Sequence, residues 1–224
     1  TSSKRCSPDI EQKETDMKIF YAETINPRKV CAVARYLDLP VDFVSVDLSK
    51  GEHRTPEYLA INPNGKVPAL EDGDIKLWEA NAIMCHLARA AKSDLWPDGA
   101  KQEDVLRWLS WNSEHFSRHA GTLYFNYIIK PALGIGAPDD DAVKEATGFV
   151  RRFGAVLNDH LRGRKYLLGD TLTIADFATA ITLPYAARAK IPVDEFPEIM
   201  RWHARLNELP AWREPFPKQQ TQAA

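Results

Sequence analysis

Cysteine is nearly absent from this chain of 224 residues: Cys6, Cys31 and Cys85 are the only three. They form neither a CxxC pair nor a metal-ligand spacing, which excludes a disulfide scaffold and a cysteine-built metal site. So sparse and odd a count suits a reducing cytoplasm. A strong charge of either sign is also missing, the formal net charge being −2. Without a basic field, neither nucleic acid nor an anionic membrane is an expected partner. No apolar run is long enough to span a bilayer. Residues 1–16, TSSKRCSPDIEQKETD, have no apolar h-region, so they read as a polar extension ahead of Met17 and not as a secretory signal. Internal repeats and low-complexity tracts are lacking as well.

What is present is an ordinary globular composition, 44% hydrophobic and 27% charged, arranged in two contrasting halves. The first half alternates strand and helix. Lys18–Glu23 predicts a strand, and Pro27–Leu39 a helix with Val30, Val33, Ala34 and Leu37 at helical spacing. VDFVSVDL (Val41–Leu48) alternates as a strand should, TPEYLAI is a short helix, and NPNG closes it. KVPALEDGDIKLW predicts two short strands around an Asp72-Gly73 turn, and Glu79–Lys92 returns to helical periodicity. The order is βαβαββα. After the turn-rich KSDLWPDGA, only helical spacing follows, over Val105–His119, Ala142–Leu161, Ile174–Arg188 and Ile199–Leu209. The fold class is therefore α/β followed by an all-helical unit.

Several motifs carry chemistry or folding information. In YAETINPRKVC, an apolar run gives way to a hydroxyl and an amide ahead of a helix, a place suited to an anion as well as to a turn. Pro68 in NGKVPAL cannot donate to a sheet ladder, so it belongs at a strand start or edge. A cis Val67–Pro68 bond would turn the neighbouring backbone toward a ligand, although trans is the default. Glu79 precedes a helix whose free N–H groups could hold an anion or zwitterion; alternatively it only complements the helix dipole. Thr173 and Asp176 have capping-box spacing, with Leu172 and Phe177 placed for a hydrophobic staple, a folding device. His115 and His119 stand four apart but lack a third metal ligand. Cys31 lies too deep in its helix for activation at the N-terminus.

The ordered set formed by the strand–helix start, NPNGKVPAL, LWEANAI, the break near residue 95 and LLGDTLTIADF resembles the cytosolic glutathione transferase family, from Met17 to about Trp212. The resemblance implies a thioredoxin-like glutathione-binding domain over 17–93 and an all-helical C-terminal domain over 101–216, as a cytoplasmic homodimer. It implies glutathione as co-substrate, no metal, and attack of the glutathione sulfur on a hydrophobic electrophile or disulfide. YAETINPRKV is similar to the start of bacterial nu-class enzymes, and theta-class enzymes place a serine at the Thr24 position. By that resemblance Thr24 and Asn26 flank the sulfur, with Tyr21 the weaker candidate. His53 and Lys66 face the glycine carboxylate, Val67 pairs through its backbone before Pro68, and Glu79 and Ala80 hold the γ-glutamyl end. The family usually has Glu-Ser where this chain has Glu79-Ala80, so one hydroxyl is missing. A second-substrate pocket would draw on Trp111, His115 and Tyr124. The alternatives are glutathione-dependent disulfide reduction on the same fold, as nu-class members do, and a non-catalytic binding or scaffold protein.

Overall fold

The structure, a computed structural model, describes residues 16–218. The polar extension therefore falls outside the described residues, except for Asp16. The expected element order is present: β1 (Met17–Tyr21), α1 (Ile25–Tyr36), β2 (Asp42–Ser45), α2 (Pro56–Leu59), β3 (Ala69–Asp72), β4 (Ile75–Trp78) and α3 (Ala80–Ala90). The sheet runs β2-β1-β3-β4. β1 is parallel to β2, with Lys18 opposite Asp42, and antiparallel to β3, with Ile19 opposite Leu70.

Side-chain alternation along β1 feeds two cores, as a strand covered on both faces requires. Ile19 and Tyr21 join the large cluster that includes Val30, Val33 and Ile83 of α1 and α3. Phe20 points the other way and meets Tyr58 of α2 edge-on, ring centroids 5.9 Å apart.

Several boundaries shift from the expectation. β1 ends at Tyr21, not Glu23, because the chain turns back at once, Thr24 N–H donating to the Ala22 carbonyl at 2.6 Å. α1 begins at Ile25 with Thr24 as its N-cap, so Asn26 is inside the helix and does not cap it. Pro27 is tolerated there because the first turn's N–H groups lack intrahelical partners in any case. The β3–β4 turn is Gly73-Asp74, since Asp72 and Ile75 still pair; Gly73 takes φ +56°. β2 is only four residues long, the chain leaving the sheet after Ser45.

The second half is helical: α4 (Ala100–Trp111), α5 (Ser117–Tyr124), α6 (Lys130–Leu133), α7 (Asp140–Leu161), α8 (Ile174–Thr179), α9 (Pro197–Leu206) and α10 (Pro210–Arg213). α4, α5 and α6 are one continuous helical run joined by π-type turns at Asn112–Phe116 and Phe125–Ile129, longer than the predicted Val105–His119. It stops at Gly134, whose φ of +63° suits a glycine C-cap. α8 ends well short of Arg188, because Pro184 offers no N–H to continue it. On α7, Val150, Leu157 and Leu161 are buried, whereas Val156 is 50% exposed.

The capping box forms at Thr173 and Asp176. The Asp176 carboxylate, fully buried, accepts from the N–H groups of Leu167 and Thr173, from the Thr173 hydroxyl and from Trp202 Nε1, at 2.9 to 3.2 Å. It ties the α8 start to the preceding loop and to α9. Burial pushes its carboxyl up to about 6.

Candidate functional site

Three local structures converge at the C-terminal side of the sheet. The first is the start of α1. Thr24 is extended, its carbonyl accepts from Arg28 N–H at 3.1 Å, and its hydroxyl makes no capping bond. The second is the loop before β3. Tyr58 Oη–H and Asn62 Nδ2 both donate to the Lys66 carbonyl, at 2.7 and 2.6 Å, and the Val67–Pro68 bond is cis. Gly65 in this loop has φ +57°, and a Cβ there would lie 3.1 Å from the His53 carbonyl. The third is the start of α3. Glu79 holds φ +70°, a left-handed region that a glutamate rarely occupies, and its carbonyl opens the helix through Ile83 N–H at 3.0 Å. Such strained residues cluster where a side chain must be aimed.

Between them lies a cleft of about 340 Å³, closed on its far side by the helical half. Of the expected residues, Asn26, Lys66, Val67, Pro68, Glu79 and Ala80 line it together. Thr24 and His53 do not, although Ile25 beside Thr24 does, and His53 keeps a buried Nδ1 without a hydrogen-bond partner.

The second-substrate trio is placed elsewhere. Trp111 packs on Trp108, Phe116 and Phe153, and His115 stacks on Phe153 at 4.6 Å. Tyr124 is buried edge-on to Tyr185, its hydroxyl pushed up to about 12 by burial. The helical wall of the cleft is made instead by Asn112, Ser113, Ser117 and Arg118. Ser113 and Ser117 are four apart, one turn on one face; Trp111 and His115 share the opposite face, toward α7.

Sequence reasoning also missed Lys29, the third residue after Asn26 and so on the same face of α1. Lys29 is 5% exposed, lines the cleft, and donates to Asn81 Oδ1 at 2.8 Å. Burial pulls its ammonium down to about 8, against the pull of the Glu79 carboxylate. Asn81 Nδ2 lies 3.5 Å from Ser113 Oγ, so Lys29, Asn81 and Ser113 form a polar chain across the two halves. The charged lining is three cations, Lys29, Lys66 and Arg118, against the one carboxylate of Glu79. Among the described residues no group of His, Cys, Asp and Glu is placed to hold a metal ion. Cys31 is buried, with its thiol pushed up to about 12, so it is no thiolate nucleophile.

The glutathione S-transferase N-terminal domain family matches residues 16–89, and the C-terminal domain family residues 117–210. A probable glutathione S-transferase GSTF2 of Oryza sativa subsp. japonica is 32% identical over 199 residues, 86% of this chain and 92% of its own. The chain belongs to the glutathione S-transferase family. Glutathione S-transferase 3 of Zea mays is 34% identical over 203 residues, covering 87% of this chain and 90% of its own. The structure of glutathione S-transferase I from maize in complex with an atrazine glutathione conjugate superposes with a TM-score of 0.81, at 27% identity over 89% of this chain and 96% of that one. The family fold, a thioredoxin-like domain followed by a helical domain, is thus the fold of this chain.

The expected placement among bacterial nu-like or theta-like enzymes is corrected by these relatives, which are plant glutathione S-transferases with F-type members among them. That placement rested on ten residues around Thr24, a span short enough for one hydroxyl and one proline to mislead; the plant likeness runs through both halves.

Proposed function

We propose that this chain is a glutathione S-transferase that activates the glutathione thiol for attack on an apolar electrophile. The observation that carries the reading is the charge pattern of the cleft. Glutathione presents two carboxylates and one ammonium, and the cleft presents three cations and one carboxylate. Glu79 takes the ammonium, and Lys66 and His53 take the glycine carboxylate. The Val67 backbone, before Pro68, pairs with the cysteinyl unit. Ala80 offers only its N–H to the γ-glutamyl carboxylate, and the Lys29–Asn81 pair supplies the donor that a serine hydroxyl would have given. Residues 17–93 form the glutathione-binding domain and 101–216 the helical one.

The sulfur lies toward the α1 N-terminus. A thiol near 8.5 is only a few per cent ionised at neutral pH, and the thiolate is the nucleophile. Thr24 is too weak a base to take the proton. Its hydroxyl, uncommitted to the cap, donates to the sulfur anion, Asn26 adds a second donor, and the helix dipole adds positive potential. Lowering the pKa by two needs about 2.7 kcal/mol of differential stabilisation, within the combined reach of these groups. The electrophile rests against Ile181 and the Ser113–Ser117 face.

The test is Thr24→Ala, assayed for conjugation of an aryl halide and for the pH dependence of the bound thiol's absorbance. We expect a raised thiol pKa and slower conjugation at pH 7. Unchanged values for both would remove Thr24 from the mechanism. Absence of glutathione binding in the wild type by calorimetry would favour the scaffold alternative instead. The disulfide-reductase alternative leaned on the nu-class likeness, which the plant relatives do not carry.

A cytoplasmic homodimer completes the proposal. Free Cys31 and Cys85 fit a reducing compartment. The outer strand β4 exposes Ile75 and Trp78, and the helical half exposes Leu106 and Phe125. Light scattering should give about twice the 25.3 kDa chain mass.

A further inference from the structure

Glutathione uses only part of the charge that the cleft offers. Bound as proposed, its ammonium meets Glu79, its glycine carboxylate Lys66, and its γ-glutamyl carboxylate Lys29 with Asn81. Arg118, the third cation of the lining, is left over. Among the described residues its ion-pair partner is Glu114, 3.8 Å away and not part of the lining. The two side chains are 66% and 69% exposed, and so open a pair is worth little and gives way readily.

A local device brings Arg118 to the cleft. The π-type turn Asn112–Phe116 closes with the Ser117 N–H donating to the Asn112 carbonyl, five residues back. Residues five apart on an α-helix diverge by about 140° around its axis, and an i→i+5 turn narrows that divergence. Ser113 and Arg118, five apart across the turn, thus both line the cleft together with Ser117. Ser113 Oγ accepts from Asn81 Nδ2 at 3.5 Å, and among the described residues nothing accepts its own proton. Ser117 is committed, its hydroxyl donating to Asn112 Oδ1 at 2.7 Å. One unmatched guanidinium and one free hydroxyl therefore share this wall, and Ile25 and Ile181 supply the apolar part of the lining. A guanidinium matches a carboxylate, two parallel N–H donors meeting two oxygens.

We propose, resting on the glutathione transferase reading, that Arg118 selects the second substrate: an electrophile with an apolar body and a carboxylate tail. The tail accepts from the Arg118 guanidinium and the Ser113 hydroxyl, and the body rests on Ile25 and Ile181. Addition to an enone needs no further reactant. The thiolate forms the S–C bond, the C=C pair moves onto the ketone oxygen, and the enolate takes a proton from water at carbon.

The probes are ethacrynate, an enone whose carboxylate is remote from the reacting carbon, and its methyl ester, with the same enone and no charge. Initial rates at saturating glutathione, less the uncatalysed rates, give kcat and KM for each. We expect kcat/KM at least fivefold higher for ethacrynate, the difference lying in KM. Arg118→Gln, at an exposed position, should raise the ethacrynate KM at least fivefold and the ester KM much less. Arg118→Lys should recover part of the loss. The pH dependence of the bound thiol's absorbance and the glutathione Kd should not move in either variant. Equal kcat/KM for acid and ester, an equal loss for both in Arg118→Gln, or a raised thiol pKa in that variant would each overturn the proposal, the last by making Arg118 a partner of the sulfur. Conjugation of the ester without preference for the acid leaves the glutathione transferase reading standing. A wild type that neither binds glutathione nor conjugates either probe removes both.

Discussion

Lys29→Met separates what the fold loses from what the ligand gains. The Lys29 ammonium is fully buried, and its fall from 10.5 to about 8 corresponds to about 3 kcal/mol of unfavourable charge burial in the free protein. Methionine keeps the straight, helix-compatible chain and removes the charge. The lost hydrogen bond to Asn81 Oδ1 costs about 1 kcal/mol, because Asn81 is only half-buried and turns to water. The variant should therefore be more stable by about 2 kcal/mol, or about 4–8 °C in melting temperature for a chain of this size. The sign depends on pH. The penalty is complete below about pH 8 and is relieved as pH rises from there toward 10.5, where the folded protein sheds the proton before the unfolded chain does. The stability gap between wild type and variant should accordingly close above pH 8. Glutathione affinity should move the opposite way. Losing a hydrogen bond from a charged donor to the γ-glutamyl carboxylate costs about 1.5–3 kcal/mol, a Kd about ten- to a hundredfold weaker. Thermal melts across pH 7–10 and glutathione calorimetry read both effects. A variant that melts below wild type at pH 7 and binds glutathione with unchanged Kd would refute the argument.

Ala80→Ser restores the hydroxyl beside Glu79. Position 80 is 6% exposed and lines the cleft, so glutathione should bind several-fold more tightly, with little change in melting temperature. Asp176→Ala strands the N–H groups of Leu167, Thr173 and Trp202 Nε1 in a dry core. The loss should be about 4 kcal/mol or more, read by urea unfolding, with most of the variant insoluble on expression. Gly154→Ala would set a Cβ 2.6 Å from Phe196 Cε2, where α7 meets the start of α9. Overpacking of about 1–3 kcal/mol should outweigh the better helix propensity of alanine, so the melting temperature should fall.

The order of elements, the βαβαββα unit ahead of helices, was legible in the sequence, because periodicity, turn residues and caps are local physics. The capping box was legible for the same reason, although only the packed structure shows Trp202 and Leu167 reaching the same carboxylate. Element ends were less legible: α1 starts two residues before its proline, where the chain turns out of β1, and α8 stops early ahead of Pro184 although the apolar spacing runs on. The cleft divided in the same way. Its backbone side, Lys66 to Pro68 and Glu79–Ala80, was indicated by the family resemblance, and these residues line one cleft. Its helical wall depends on which face of α4 and α5 turns inward, and π-type turns shift that face, so Trp111 and His115 pack half-buried toward α7 and Tyr124 is buried, while Ser113 and Ser117 line the cleft. Most telling are Arg28 and Lys29, adjacent members of 29 basic residues that composition cannot tell apart. Sequence by itself made them cations on a helix. Only tertiary burial, about 100° apart around α1, removed both from water and aimed one at the glutathione cleft and the other at a second cavity.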